Sequence, residues 1–122
     1  MSVVLDSVIL IDALNGVEAA IDYVKRVGPE ASITAISRAE VLVGYSPKAQ
    51  AVPKALLDRF GWIDFDSAVS DLAAELRRKH KWKLPDAFQA AAALHHRLEL
   101  ATRNTKDFPP QRHHFVVVPY EP

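Results

Sequence analysis

The sequence predicts an α/β domain of three layers, with a mostly parallel central sheet flanked by helices. Three observations carry this expectation. Short β-type runs alternate with stretches of helical periodicity along the chain. Runs among them that are apolar without alternation suggest strands covered on both faces. A length of 122 residues with 49% hydrophobic content is enough for one core. Residues 1–122 therefore read as a single domain.

The elements follow in order. Val3 to Leu5 is the first strand, closed by Asp6. Ser32 to Ile36 is the second, and the helix after it carries Glu40 among the apolar Val41, Leu42 and Val43, with Gly44 placed to end it. Trp62 to Phe65 is the third strand. Val69, Leu72, Ala73 and Leu76 recur at helical spacing, and so do Ala87, Ala90, Ala91, Leu94 and Leu98. Leu100 to Thr102 and Phe115 to Val118 supply two further strands. Gly28-Pro29, Ser46-Pro47, Leu84-Pro85 and Pro109-Pro110 punctuate these elements as turns or helix boundaries. Right-handed crossovers are the expected connections.

Composition narrows the function classes. The 15 basic and 15 acidic residues balance, so any polyanion site must be local. There is no cysteine, which excludes disulfides, thiolate metal sites and cysteine nucleophiles and suits a reducing cytoplasm. No export signal precedes Val3, and no apolar run approaches the roughly 18 residues of a membrane helix. The expectation is a soluble, cytoplasmic protein with no membrane partner.

In open parallel sheets, ligands bind beyond the carboxyl ends of the strands. Asp6 sits at such an end, and Asn104 and Asp107 follow another by a few residues. Glu40 and Asp86 stand near the starts of helices. Each acid has an ordinary explanation: Asp6 a turn, Glu40 an exposed helical position, Asp107 a loop acid, and Asp86 with Gln89 a capping box. Together they are harder to dismiss. Two like charges about 4 Å apart at an effective dielectric near 20 repel by roughly 4 kcal/mol, so carboxylates sharing one rim must protonate or bind a cation. Oxygen ligands without cysteine or paired histidine favour Mg²⁺ or Mn²⁺ over zinc. The adjacent pairs His95-His96 and His113-His114 read as surface residues.

The basic run Arg77, Arg78, Lys79, His80, Lys81, Trp82, Lys83 precedes Asp86. It is a candidate grip on RNA phosphates, with Trp82 stacking on a base; the alternative is a solvated helix end with Trp82 in the core. Arg103 and Lys106 flank Asn104 and are further phosphate candidates.

Four segments then resemble PIN-domain ribonucleases, specifically the VapC-type toxins of toxin–antitoxin pairs: Val4 to Ser7, Ile36 to Gly44, Leu84 to Ala87, and Leu100 to Phe108. Their order and spacing span nearly the whole chain. The resemblance implies a PIN-like fold and a metal-dependent endoribonuclease whose acidic metal-site residues are Asp6, Glu40, Asp86 and Asp107. It implies that Asn104 fills a metal-site position where many relatives have another acid, and that Ser7 and Thr102 are supporting polar residues. It also implies a VapB-type antitoxin partner, a homodimer or hetero-oligomer, and promoter DNA reached only through the antitoxin. Val8 and Asn104 depart from the common pattern, and the metal count stays open between one and two. The general base is open between Asp86 and Glu40. A catalytically inactive PIN-like module that binds RNA or protein is the first alternative. A receiver-type signalling domain is the second, but it requires an acidic pair after the first strand, where this chain has Asp6-Ser7-Val8.

Overall fold

The computed structural model describes residues 2–121. Strands β1 (Val3–Leu5), β2 (Ala31–Thr34), β3 (Gly61–Ile63), β4 (Glu99–Ala101) and β5 (Val116–Val117) form one sheet in the order β3-β2-β1-β4-β5. Every neighbouring pair is parallel, so the expected mostly parallel sheet is parallel throughout the described residues. The helices are α1 (Ser7–Leu14), α2 (Glu18–Val27), α3 (Ala35–Leu42), α4 (Ala51–Leu57), α5 (Ser67–His80) and α6 (Leu84–His95). None is long and apolar enough to cross a membrane.

All of β1 is buried, and its alternation divides the core. Val3 and Leu5 join Ile9, Leu10, Tyr23, Val24 and Ile33 under α1 and α2. Val4 joins Val69, Ala73, Phe108 and the alanines of α6 on the opposite face. A strand so covered must be apolar at every position, which is why its sequence shows no alternation. On α6, Ala87, Ala90, Ala91, Ala92 and Ala93 are fully buried; their small side chains let this helix lie close to the sheet and to α5.

The register fixes the working edge. Leu5 of β1 pairs with Ala101 of β4, so Asp6 and Thr102 emerge side by side. Because β2 and β4 flank β1 on opposite sides, this is also where the strand order reverses, the usual position of a ligand crevice.

Several boundaries differ from expectation: β4 is Glu99–Ala101 rather than Leu100 to Thr102, and α6 ends at His95, short of Leu98. The second strand stops at Thr34, because Thr34 caps α3 by accepting from the Ser37 N–H at 3.4 Å. Glu40 thus lies in the second turn of α3, and the helix ends at Leu42, before Gly44. The third strand ends at Ile63, short of Phe65. The last strand is only Val116–Val117.

Candidate metal centre

Asp6 is 6% exposed and caps α1 through its own carboxylate, where Oδ1 accepts the Ser7 N–H at 2.9 Å. Its Oδ2 accepts from the Thr102 hydroxyl at 2.7 Å, and the Gln89 amide donates to Oδ1 at 3.4 Å. A carboxylate with donors on both oxygens has one orientation.

Gln89 is the hub behind it. Its Nε2 also donates to Ser37 Oγ at 2.6 Å, and its Oε1 accepts from Thr34 Oγ1 at 2.6 Å. Ser37 in turn donates to the Leu5 carbonyl at 3.0 Å. One buried amide therefore ties α6 to α3, β2 and Asp6, and no buried side-chain polar atom among the described residues lacks a partner. The sequence offered Gln89 only as half of a capping box with Asp86. That box does not form: Lys83 occupies the N-cap without a side-chain bond, and the helix starts at Leu84 with Pro85 in its first turn. Asp86 is left in the first turn, half-buried.

Glu40 is exposed and accepts from the Ser7 hydroxyl at 3.0 Å. Asp107 accepts from the Asn104 amide at 3.0 Å, and Asn104 Oδ1 accepts the Asp107 N–H at 3.4 Å. The Asn104 N–H donates to Thr102 Oγ1 at 3.0 Å, which links this loop to the Asp6 carboxylate through one hydroxyl.

The acids act on one another electrostatically. Burial first, then the charges of Asp6, Asp107 and Glu40, push the Asp86 carboxyl up to about 6, against a smaller opposing pull from Lys83. All four predicted acids thus share one field. Neither side-chain ion pair among the described residues, Arg38–Asp58 or Arg103–Asp12, involves them. No three His, Asp or Glu side chains among the described residues form a metal cage as they stand. The rim concentrates negative charge that Lys83 offsets only in part, without closing around it, as mutually repelling carboxylates do. An all-oxygen set with excess negative charge fits a hard divalent cation.

Two predicted substrate contacts lie elsewhere. Trp82 is 6% exposed, stacked against His80 at 4.3 Å between centroids, and its indole N–H donates to the Asp107 carbonyl at 2.8 Å. A ring so enclosed supports the loop rather than stacking on a base. Arg103 donates from Nε and Nη2 to the two oxygens of Asp12, at 2.5 and 2.9 Å, a bidentate pair that turns this edge of the guanidinium away from substrate. Of the basic run, Arg77, Arg78, Lys79 and Lys81 are exposed, as is Lys106, and Arg77 also donates to the Trp82 carbonyl. Lys81, Lys106 and Arg112 line a cleft bordered by Asp107; Arg112 lies beyond the motif, so the sequence alone does not single it out. His113 is not a simple surface residue, for it packs on His80, Trp82 and Phe115. His95, His96 and His114 are exposed, as expected.

A family model for the PIN domain matches residues 3–109. Among solved structures, a toxin–antitoxin complex from Klebsiella pneumoniae has a chain 37% identical, with a TM-score of 0.90 over 99% of this chain and 100% of that one. FitAcB from Neisseria gonorrhoeae is 23% identical with a TM-score of 0.81, covering 98% of this chain and 99% of that one. VapBC2 from Rickettsia felis, bound to a fragment of its promoter DNA, is 22% identical with a TM-score of 0.73, over 96% of each chain. The last two show likeness of fold. No curated protein matches the chain.

Proposed function

The chain belongs to the PIN domain family, and from that premise we propose that it is a VapC-type toxin, a metal-dependent endoribonuclease held in check by a small antitoxin. The observation that carries this reading is the field shared by Asp6, Glu40, Asp86 and Asp107, which adds to burial in raising Asp86 to about 6 and which no ion pair among the described residues opposes.

Mg²⁺ or Mn²⁺ held there would activate water and neutralise charge developing on the phosphate. The residues divide the remaining work. Asp6, fixed by its donors, is the rigid ligand. Glu40 and Asp107 are each held by a single side-chain bond, to Ser7 and to Asn104. Asn104 contributes a neutral oxygen, which leaves the number of ions open. Asp86 and Glu40 retain oxygens able to orient the attacking water or take its proton. Ser7 and Thr102 hold Glu40 and Asp6 in place. Arg78, Lys79, Lys81 and Lys106, joined by Arg112, offer exposed cations for the RNA backbone.

The 37%-identical neighbour is a toxin–antitoxin complex, which supports a VapB-type antitoxin as partner. Insertion of a partner arginine into the acidic rim would suit it, because guanidinium and carboxylate pair in bidentate fashion. We extend the reading to a homodimer or hetero-oligomer in the cytoplasm that meets promoter DNA only through the antitoxin.

Purified protein should cut RNA with Mg²⁺ or Mn²⁺, stop with chelator, and lose activity in a folded Asp6→Asn variant. Equal cutting by wild type and variant would expose a contaminating nuclease. No cutting by metal-loaded wild type would favour the inactive binding module. Expression alone should arrest growth, and co-expression of a small protein encoded just upstream should relieve it.

A further inference from the structure

Asp6 and Asp12 are the buried carboxylates among the described residues, and the acidic rim uses only Asp6. Asp12, 7% exposed on α1, accepts Arg103 Nε at 2.5 Å, Arg103 Nη2 at 2.9 Å and the Tyr120 hydroxyl at 2.7 Å. Hydrogen bonding from Arg103 outweighs burial and holds its carboxyl below the usual range. A buried charge persists only with such partners. This set joins three segments distant in sequence: α1, the exit of β4 and the tail beyond β5. Arg103 stands between Thr102, which holds Asp6, and Asn104, which holds Asp107. The residue that Asp12 grips is thus the one between two parts of the rim.

We propose that Asp12, Arg103 and Tyr120 form a clasp through which the tail fixes the loop carrying Asn104 and Asp107, and so sets the divalent-cation affinity of the rim. Asp12 and Tyr120 are positioning residues. The affinity half of the proposal rests on the metal-site reading above; the fixing of the loop does not.

The full chain is compared with Tyr120→Phe and Asp12→Asn, and with Ile63→Val as a core control on β3, three strands away from β4. Amide exchange is measured without cation at Asn104, Asp107 and Phe108, whose N–H groups bond within the loop. Mn²⁺ affinity is measured by calorimetry. Loss of the Tyr120 bond should speed exchange at those amides about tenfold, the effect of one hydrogen bond on a local opening, and weaken Mn²⁺ binding severalfold. Ile63→Val should lower the melting temperature and change neither. If exchange in Tyr120→Phe rises no more at the loop than at Ile33 in the core, the triad only stabilises the fold and the proposal is overturned. If the loop loosens while Mn²⁺ affinity stays at the wild-type value, the affinity half is wrong. Should wild type take up no Mn²⁺, the metal reading of the rim falls with the affinity half, and exchange still decides the clasp. Asp12→Asn is the stronger test if it folds; Tyr120→Phe, which removes only a hydroxyl, decides the matter if it does not.

Discussion

The Thr102 hydroxyl donates to Asp6 Oδ2 at 2.7 Å across 96 residues of sequence. It is a side-chain tie between the ends of β1 and β4, beside the bond from the Asp6 N–H to the Ala101 carbonyl at 2.9 Å, and it also accepts the Asn104 N–H. Thr102→Val keeps the shape and removes both bonds. Cation affinity or cleavage should fall about 10–100-fold, the usual cost of deleting a group that orients a metal ligand. Unfolding stability should fall by roughly 1–3 kcal/mol, because Asp6 loses a buried donor. Calorimetry and urea unfolding check the two effects separately.

Gln89→Leu should act on the fold more than on any other property. It strands the Thr34 hydroxyl proton and one lone pair of Ser37 Oγ, both in fully buried residues whose other bonds, to the Ser37 N–H and the Leu5 carbonyl, remain, and it removes a donor from Asp6. Destabilisation on the order of 1–3 kcal/mol per stranded group is expected, read as a lower urea midpoint at unchanged slope.

The pH dependence has a definite sign. Asp86 titrates near 6 in the fold and at an ordinary 3.8 when unfolded. Between those values the native state binds the extra proton, so this group's contribution to stability is lost as pH rises from about 4 through about 6. His80 and His113 work the other way: burial lowers both, so their contribution grows as pH rises through the ordinary histidine range. The difference between wild type and Asp86→Asn isolates the carboxylate. In chelator, Asp86→Asn should gain stability over wild type at pH 7.5 and little or none at pH 4. An equal gain at both would mean that Asp86 is not shifted.

Trp82 and Trp62 should be separable by light. Trp82 is 6% exposed and Trp62 48%. In Trp62→Phe the remaining emission should resist acrylamide and stay unchanged when RNA binds. Quenching by RNA would restore the base-stacking reading.

The basic run predicts a salt effect. Replacing Arg78 and Lys79 with Ala should weaken RNA binding and reduce the slope of log K against log salt by about 0.7 for each phosphate no longer neutralised. An unchanged slope would leave these residues as a solvated helix end. Arg103→Ala, by contrast, should not change the slope, because its guanidinium is spent on Asp12.

What the sequence made legible follows from how local each signal is. β1 and Asp6 could be placed because a short apolar run ending in an acid is a complete pattern, and parallel topology then brought Asn104 and Asp107 to the same edge. The limits of β2 could not, because Thr34 is a good strand residue whose role as a cap depends on the turn that follows. Gln89 looked like a cap for its own helix, and its three-way role appears only when α3 and β2 arrive beside α6. Arg103 and Asp12 lie 91 residues apart, so an arginine beside a candidate metal loop read as a phosphate contact. Trp82 amid cations had the composition of an RNA patch, and burial in the core between α5, α6 and Phe108 is a tertiary fact.

The measurement that bears most directly on the acidic rim is a calorimetric Mn²⁺ titration of the chelator-stripped protein at pH 7.5, beside folded Asp6→Asn. Saturable binding by wild type that is lost or weakened at least tenfold in the variant, about 1.4 kcal/mol, is the expected result. Identical isotherms, or no saturable binding by either, would contradict the assignment of Asp6, Glu40, Asp86 and Asp107 to a metal site.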